Sequence, residues 1–253
     1  MKIIGKFLLV YGIVSLTALL CSEITGNSAS HSVTTNHWSQ TRRDSAHLLD
    51  DPNQVIHTAI VAVFAAKTYG WRGRFAVHTW LVFKRAGDDH YTRYEVVGWD
   101  PDAVIRRNYA IADGYWFGAR PHLLVEYRGA TAEAMIGKLN AAVNNYPYPH
   151  TYRAWPGPNS NTFIAHIARE VPQLSLNMPA NAIGKDYRPL RDPIGRPPSG
   201  SGFQFSLLGV LGVNIGRQEG LEMNLLGVDL GINFFPLQLR LPFMGNIPTQ
   251  RQL

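Results

Sequence analysis

The chain has 253 residues, of which 45% are hydrophobic and 17% charged. That is ample apolar content for one sizeable core and too much for a disordered chain. Its formal net charge of +6 comes from scattered basic residues such as Arg42, Arg72, Lys84 and Arg106. No basic run is interleaved with aromatics, so nucleic acid is not the expected partner. A weak attraction to a membrane surface or an anionic envelope polymer is the better meaning of the charge.

Lys2 and Lys6 precede an apolar run from Phe7 to Cys21, interrupted by Gly12, Ser15 and Thr17. About fifteen residues suits the apolar region of an export signal and falls short of the ~20 that a spanning helix needs. Residues 1–25 are therefore expected to be a signal peptide, with retention as a membrane anchor as the alternative. The expected location is exported, either periplasmic or membrane-associated in the cell envelope. Cys21 raises lipidation, although Leu20 stands where a lipoprotein signal places a small residue. Because Cys21 is the only cysteine, the mature chain has neither an internal disulfide nor a thiol nucleophile.

Residues 26–50, rich in Ser, Thr, Asn and His, read as a tether. Asp51-Pro52 opens a predicted helix through about Lys67, with Val55, Ile56, Ile60, Val63 and Phe64 at helical spacing. Residues 75–85 and 90–99 are strand-like and joined by the turn 86–89; 104–107 and 123–128 are further strands. Thr131 caps a second predicted helix through about Asn145, with Met135, Leu139 and Val143 as its apolar stripe. A Pro- and Tyr-rich loop, 146–158, then leads into a helix from Ser160 to Val171, which Pro172 stops.

These elements make an α+β core over 51–178, an antiparallel sheet with packed helices. A Pro- and Gly-rich linker over 179–202 follows. Residues 203–243 then alternate in a long hairpin, 203–215 against 221–234 across the turn 217–220, with a third strand over 237–241. Glycines 209, 212, 216, 227 and 231 mark bends or close backbone approach there. This extension carries many apolar residues and few charges, the pattern of an add-on sheet or of a surface facing a membrane or partner.

No pair of histidines has helical ligand spacing and no Cys-x-x-Cys exists, so no metal is expected. There is no Walker loop, dinucleotide fingerprint or Gly-x-Ser-x-Gly elbow, and no cofactor is expected. What survives is Ser160 at a helix start, within Trp155-Pro156-Gly157-Pro158-Asn159-Ser160-Asn161-Thr162-Phe163, either a nucleophile or a capping hydroxyl. His78 lies in an otherwise apolar strand, where an imidazole needs a partner or a cleft. Glu95 is on the next strand. If Lys84 pairs with His90 the two residues face opposite ways; a one-residue shift puts Glu95 on the His78 face. Asn159 and Asn161 serve as caps or as oxyanion donors. Trp80, Trp155 and Tyr115 are the aromatic candidates for the substrate wall.

Five segments carry a resemblance: 75–80 (Phe-Ala-Val-His-Thr-Trp), 92–96 (Thr-Arg-Tyr-Glu-Val), 113–118 (Asp-Gly-Tyr-Trp-Phe-Gly), 155–163, and 183–187 (Ile-Gly-Lys-Asp-Tyr). Together they resemble the bacterial family known as domain of unknown function 3750, over roughly residues 50–235. A more distant likeness is to the circularly permuted papain-like group related to NlpC-type cell-wall peptidases, which includes amidases and acyltransferases. That likeness implies a papain-like core with His78 as base, Glu95 as orienting residue and Ser160 as nucleophile. The group uses cysteine where this chain has Ser160. A thiol has a pKa near 8.5, whereas a hydroxyl needs concerted deprotonation. The expectation is a papain-like hydrolase or acyltransferase acting on an amide or ester. The alternative is a non-catalytic envelope module that binds a lipid, peptide or glycan fragment.

Overall fold

The computed structural model describes residues 2–27, 38–100 and 102–248. Part of the expected tether, 28–37, lies outside the described residues. Among the described residues the fold is α+β, with two antiparallel sheets and three α-helices.

The first sheet is built around β1 (Ile60–Lys67), where the spacing predicts a helix. Residues 60–66 form an unbroken apolar run, all buried, as a strand flanked on both sides and covered on both faces requires. Such a run satisfies a helical period as readily as any other, which is why the expectation fails. Residues 52–57 form turns instead. β1 pairs with β2 (Val77–Lys84) and β5 (His122–Arg128). β3 (Thr92–Val96) and β4 (Ile105–Arg107) complete the order β4-β3-β2-β1-β5.

Alternation divides the core into two layers. Val61, Val63, Leu81 and Phe83 pack on α2 (Ala130–Asn144) and α3 (Ser160–Glu170) through Ile136, Leu139, Phe163 and Ile164. Each such fully buried side chain contributes about 1.5–3 kcal/mol. Ala62, Phe64, Trp80 and Val82 point the other way, onto Leu48, Leu49 and Trp116. The described end of the expected tether is therefore a cover, pinned where the Asp113 carboxylate accepts from Ser45 Oγ (2.8 Å) and Leu48 N–H (2.7 Å). Thr131 does not cap α2. Gly129, at φ 64, turns the chain from β5 into the helix while its N–H bonds Ala59 O at 2.8 Å.

The second sheet is a seven-stranded meander: β6 (Ile194–Gly195), β7 (Phe203–Leu207), β8 (Leu211–Gly216), β9 (Gly220–Leu225), β10 (Val228–Phe234), β11 (Leu237–Leu241) and β12 (Gly245–Ile247). The long hairpin expected from the alternation is folded again at Leu208-Gly209 (φ 55 and 68) and Leu226-Gly227 (φ 55 and 78). Positive φ at both central residues is the geometry of tight strand-connecting turns. The 179–202 stretch is also more than a connection: Ala180, Ala182, Lys185 and Asp186 are buried between the sheets.

α1 (Lys2–Asn27) rests against this sheet, with the Tyr11 hydroxyl donating to Val228 O. Among the described residues, no helix is long and apolar enough to cross a membrane.

Candidate active site

In the first sheet, β1 ends, β2 begins and β3 ends along one edge, and α3 starts there. Over this edge lies a cleft of about 690 Å³, whose lining includes Thr68 and Tyr69 after β1, His78 on β2, Val97 to Trp99 after β3, and Ser160. Loops add Trp38, Arg72, Tyr109, Trp116, Phe117, Tyr152 and Ala154. An edge cleft can be reached from both layers of the core. This matters because α3 packs beside Thr79 while His78, one residue earlier, points the other way.

The strand register decides the partner of His78. Leu81 pairs with Tyr94 and Phe83 with Thr92, one residue away from a Lys84–His90 pairing. The loop sets this shift: Lys84 Nζ donates to Arg85 O and Asp88 O, and Arg85 N–H to Asp88 Oδ2. Glu95 therefore falls on the His78 face, two positions along, and His78 Nε2 lies 2.8 Å from Glu95 Oε2. Arg93, two residues before Glu95 and so on the same face, donates to the same oxygen through Nη2 at 2.9 Å. Its Nε is 2.8 Å from Oε1. Arg93 is itself held by Ile111 O at 2.7 Å and stacks on Trp80 at 4.2 Å.

The His78 ring lies nearly parallel to Trp116, with centroids 3.8 Å apart and planes 9° from parallel. Burial lowers the His78 pKa, against the raising pull of Glu95. The imidazole is therefore neutral at pH 7, as a general base must be. Burial alone would raise the Glu95 pKa, but the His78 hydrogen bond and the Arg93 charge outweigh it and hold the carboxylate below its usual range.

At the start of α3, the cap is Asn159. Its Oδ1 accepts from the backbone N–H of Asn161 (3.0 Å) and Thr162 (3.1 Å), and Thr162 Oγ1 accepts from Asn159 N–H. Ser160 is thus the first helical residue, and the capping role belongs to its neighbour. The Ser160 hydroxyl makes no hydrogen bond among the described residues, and its side chain borders the cleft. Asn161 is a staple: Nδ2 donates to Val77 O and Ile183 O, and Oδ1 accepts from Thr79 Oγ1 at 2.9 Å. Thr79 Oγ1 also reaches Ser160 O at 3.4 Å, tying the residue after His78 to the backbone of Ser160.

The structure gathers Ser160, His78 and Glu95 at this edge and leaves the two amide and three aromatic candidates outside the cleft lining. Asn159 and Asn161 spend their amides on backbone carbonyls. Trp80 is fully buried beneath Arg93, its indole N–H bonded to Ala112 O. Trp155 donates to Leu226 O on the second sheet. Tyr115 stacks under Arg42 at 3.8 Å. Trp99, Trp116 and Tyr152 line the cleft instead, and only tertiary packing brings those loops together.

Among the described residues, one cluster outside the cleft has the donors for a metal: Asp186, Glu222 and Asp229. The Lys185 ammonium already stands among them, 2.7 Å from Asp186 and 3.0 Å from Asp229, and is also paired with Glu222.

Residues 58–187 match the family described as protein of unknown function (DUF3750). The chain belongs to this family. The DUF3750 match contains His78, Arg93, Glu95 and Ser160 and stops before β6, so the second sheet lies outside it. That is shorter than the 50–235 span suggested by the motifs. No curated protein and no solved structure matches this DUF3750 chain.

Proposed function

We propose that the edge cleft is the active site of a serine-type hydrolase or acyltransferase acting on an amide or ester, on a core of permuted papain-like type. One observation carries the reading. His78 spends Nε2 on Glu95, so Nδ1 is left for the cleft that Ser160 also borders, and Ser160 is relieved of capping by Asn159. That is the division of labour of a nucleophile, a base and an orienting carboxylate.

In this mechanism Ser160 Oγ attacks the carbonyl carbon as its proton passes to His78 Nδ1. The imidazolium is held by the Glu95 carboxylate and by the Trp116 face. The N–H of Ser160 itself, at the positive end of α3, is the donor best placed for the developing oxyanion. Collapse of the tetrahedral intermediate breaks the bond to the leaving group, which takes the proton from His78. Water or an acceptor nucleophile then releases the acyl group by the same steps in reverse. The aromatic lining suits an apolar or planar acyl portion, and Arg72 suits an anionic end. We place the protein at the cell envelope, on the export-signal pattern of Lys2 to Cys21.

A second reading has its own support. The Trp99 and Trp116 rings are parallel within 8° at 6.0 Å, a platform that a non-catalytic module would use to bind a lipid, peptide or glycan fragment. Labelling with a serine-directed fluorophosphonate separates the two. The hydrolase reading expects labelling of the wild type that is lost in Ser160→Ala and in His78→Ala. No labelling of folded wild type, or labelling unchanged in both variants, leaves the binding module.

A further inference from the structure

The second sheet is inverted relative to the usual arrangement. Along its strands, Gln204, Ser206, Asn214, Glu222, Asn224, Asp229, Asn233, Gln238 and Arg240 are buried against the rest of the protein. The alternate positions carry Phe203, Leu211, Ile215, Leu221, Met223, Phe234, Leu237, Leu239 and Ile247, and all of these are exposed. The remaining strand positions of that face, among them Phe205, Val213, Leu225, Leu230 and Ile232, are apolar too. No charged residue interrupts it.

From the strand ranges, six spacings of about 4.8 Å and five to six residues of about 3.4 Å give a face of roughly 29 by 17–20 Å. That is at the upper end of the largest apolar patch on a typical monomer, and patches of this size are often functional.

We propose that this face docks on the surface of an anionic phospholipid bilayer. Three observations choose this occupant. First, the charges of the 190–247 block are sorted by exposure. Glu219, Glu222, Asp229 and Arg240 are buried, while Arg191, Arg196 and Arg217 are exposed in segments that flank the strands. The one exposed acid, Asp192, is taken by Arg188 at 2.6 Å. An uncharged apolar face with a cationic rim complements lipid chains beneath anionic headgroups. Second, the longer strands have five to seven residues. A strand that spans a bilayer needs about 9–11, so the sheet lies on the membrane. Third, where the first 25 residues are retained as an anchor rather than removed as a signal, α1, which rests on this sheet through Tyr11, exposes its own apolar Leu9, Val10, Ile13 and Leu16. A second apolar surface thus adjoins the first.

The test is flotation of the full-length protein with vesicles of phosphatidylethanolamine and phosphatidylglycerol, against vesicles of phosphatidylcholine. The expected result is preferential binding to the anionic vesicles, reduced at least tenfold in the double variant Met223→Glu, Leu239→Glu. Both residues are exposed, so folding is preserved, and an unchanged melting curve checks this. Arg217→Glu, on the rim, is expected to reduce anionic binding about threefold with no effect on phosphatidylcholine. Binding undiminished by the double variant would assign it to α1 and overturn the proposal. Absence of binding by the wild type would also overturn it. So would a homodimer in light scattering that the double variant dissociates, since the face would then belong to a second copy.

Discussion

Both sheets bury a charged cluster, and the two clusters differ in whether they reach a cleft. In the second sheet, Lys185 is enclosed by Asp186, Glu222 and Asp229, and Glu222 also pairs with Arg240. Asn214 and Gln204 donate to the remaining oxygen of Asp186. The cluster is sealed between the sheet and the 177–188 segment, each of its charged side chains at most 3% exposed. In the first sheet, Arg93, Glu95 and His78 form a shorter chain that opens at one end into the cleft. A sealed cluster specifies how two layers meet. An open one keeps a nitrogen available for chemistry. The burial of charge is common to both, so the open valence is what distinguishes the proposed site from the sealed cluster.

The comparison predicts crossed phenotypes. Lys185→Ala removes the only ammonium from among three carboxylates and should cost about 3–5 kcal/mol in urea unfolding. Arg240 alone cannot compensate all three, and Asp229, already raised well above its usual pKa by burial and by Asp186, would be the first to take a proton. His78→Ala leaves Glu95 paired with Arg93 and should cost little stability while abolishing fluorophosphonate labelling. If Lys185→Ala unfolds no more readily than His78→Ala, the sealed cluster is not what specifies how the layers meet.

A smaller effect tests the positioning of Ser160. Gly184 has φ +94, and a Cβ there would meet Asn159 Nδ2 at 2.4 Å, displacing the cap. Gly184→Ala should cost about 2 kcal/mol and slow labelling, although residue 184 lies outside the cleft lining. Full-rate labelling in this variant would show that the cap does not place the nucleophile.

The smallest effect is on pH dependence. His78 has a folded pKa below its unfolded value, so the unfolded chain binds the extra proton first. Its contribution is complete above about pH 6.5 and declines as pH falls below it. Glu95, also lowered, contributes above its unfolded pKa and loses that contribution at more acid pH. His122 and His166 are lowered by burial and add to the same slope. The diagnostic quantity is therefore the difference between the wild type and His78→Gln, which keeps a donor for Glu95. Melting temperatures between pH 7 and pH 5 should fall less in the variant. An identical fall in both would mean that His78 is not held neutral.

What the sequence makes legible follows from which interactions are local. α3 and its cap can be read because Pro158, Asn159, Thr162 and Pro172 punctuate it within fifteen residues. The pairing of His78 with Glu95 stays open in the sequence because a one-residue register shift reverses it, and that shift depends on Lys84 bonding to its own loop. That Arg93, two residues from Glu95 on the same strand face, shares this carboxylate with His78 depends on the same register. β1 is misread because an unbroken apolar run has no diagnostic period. In the second sheet the alternation is plain, yet a period of two is the same with either face inward. Only the ions contributed by Lys185 and Asp186, from a stretch that looks like a linker, turn the polar side in.

The most direct measurement puts a thiol at the proposed nucleophile position. In Ser160→Cys, made with Cys21→Ser so that one thiol remains, the rate of alkylation by iodoacetamide is followed against pH. An imidazole within reach stabilises the thiolate, so the account predicts an apparent thiol pKa at least one unit below 8.5, returning to about 8.5 when His78→Ala is added. An apparent pKa of 8.5 or above, unchanged by His78→Ala, would contradict the pairing of Ser160 with His78.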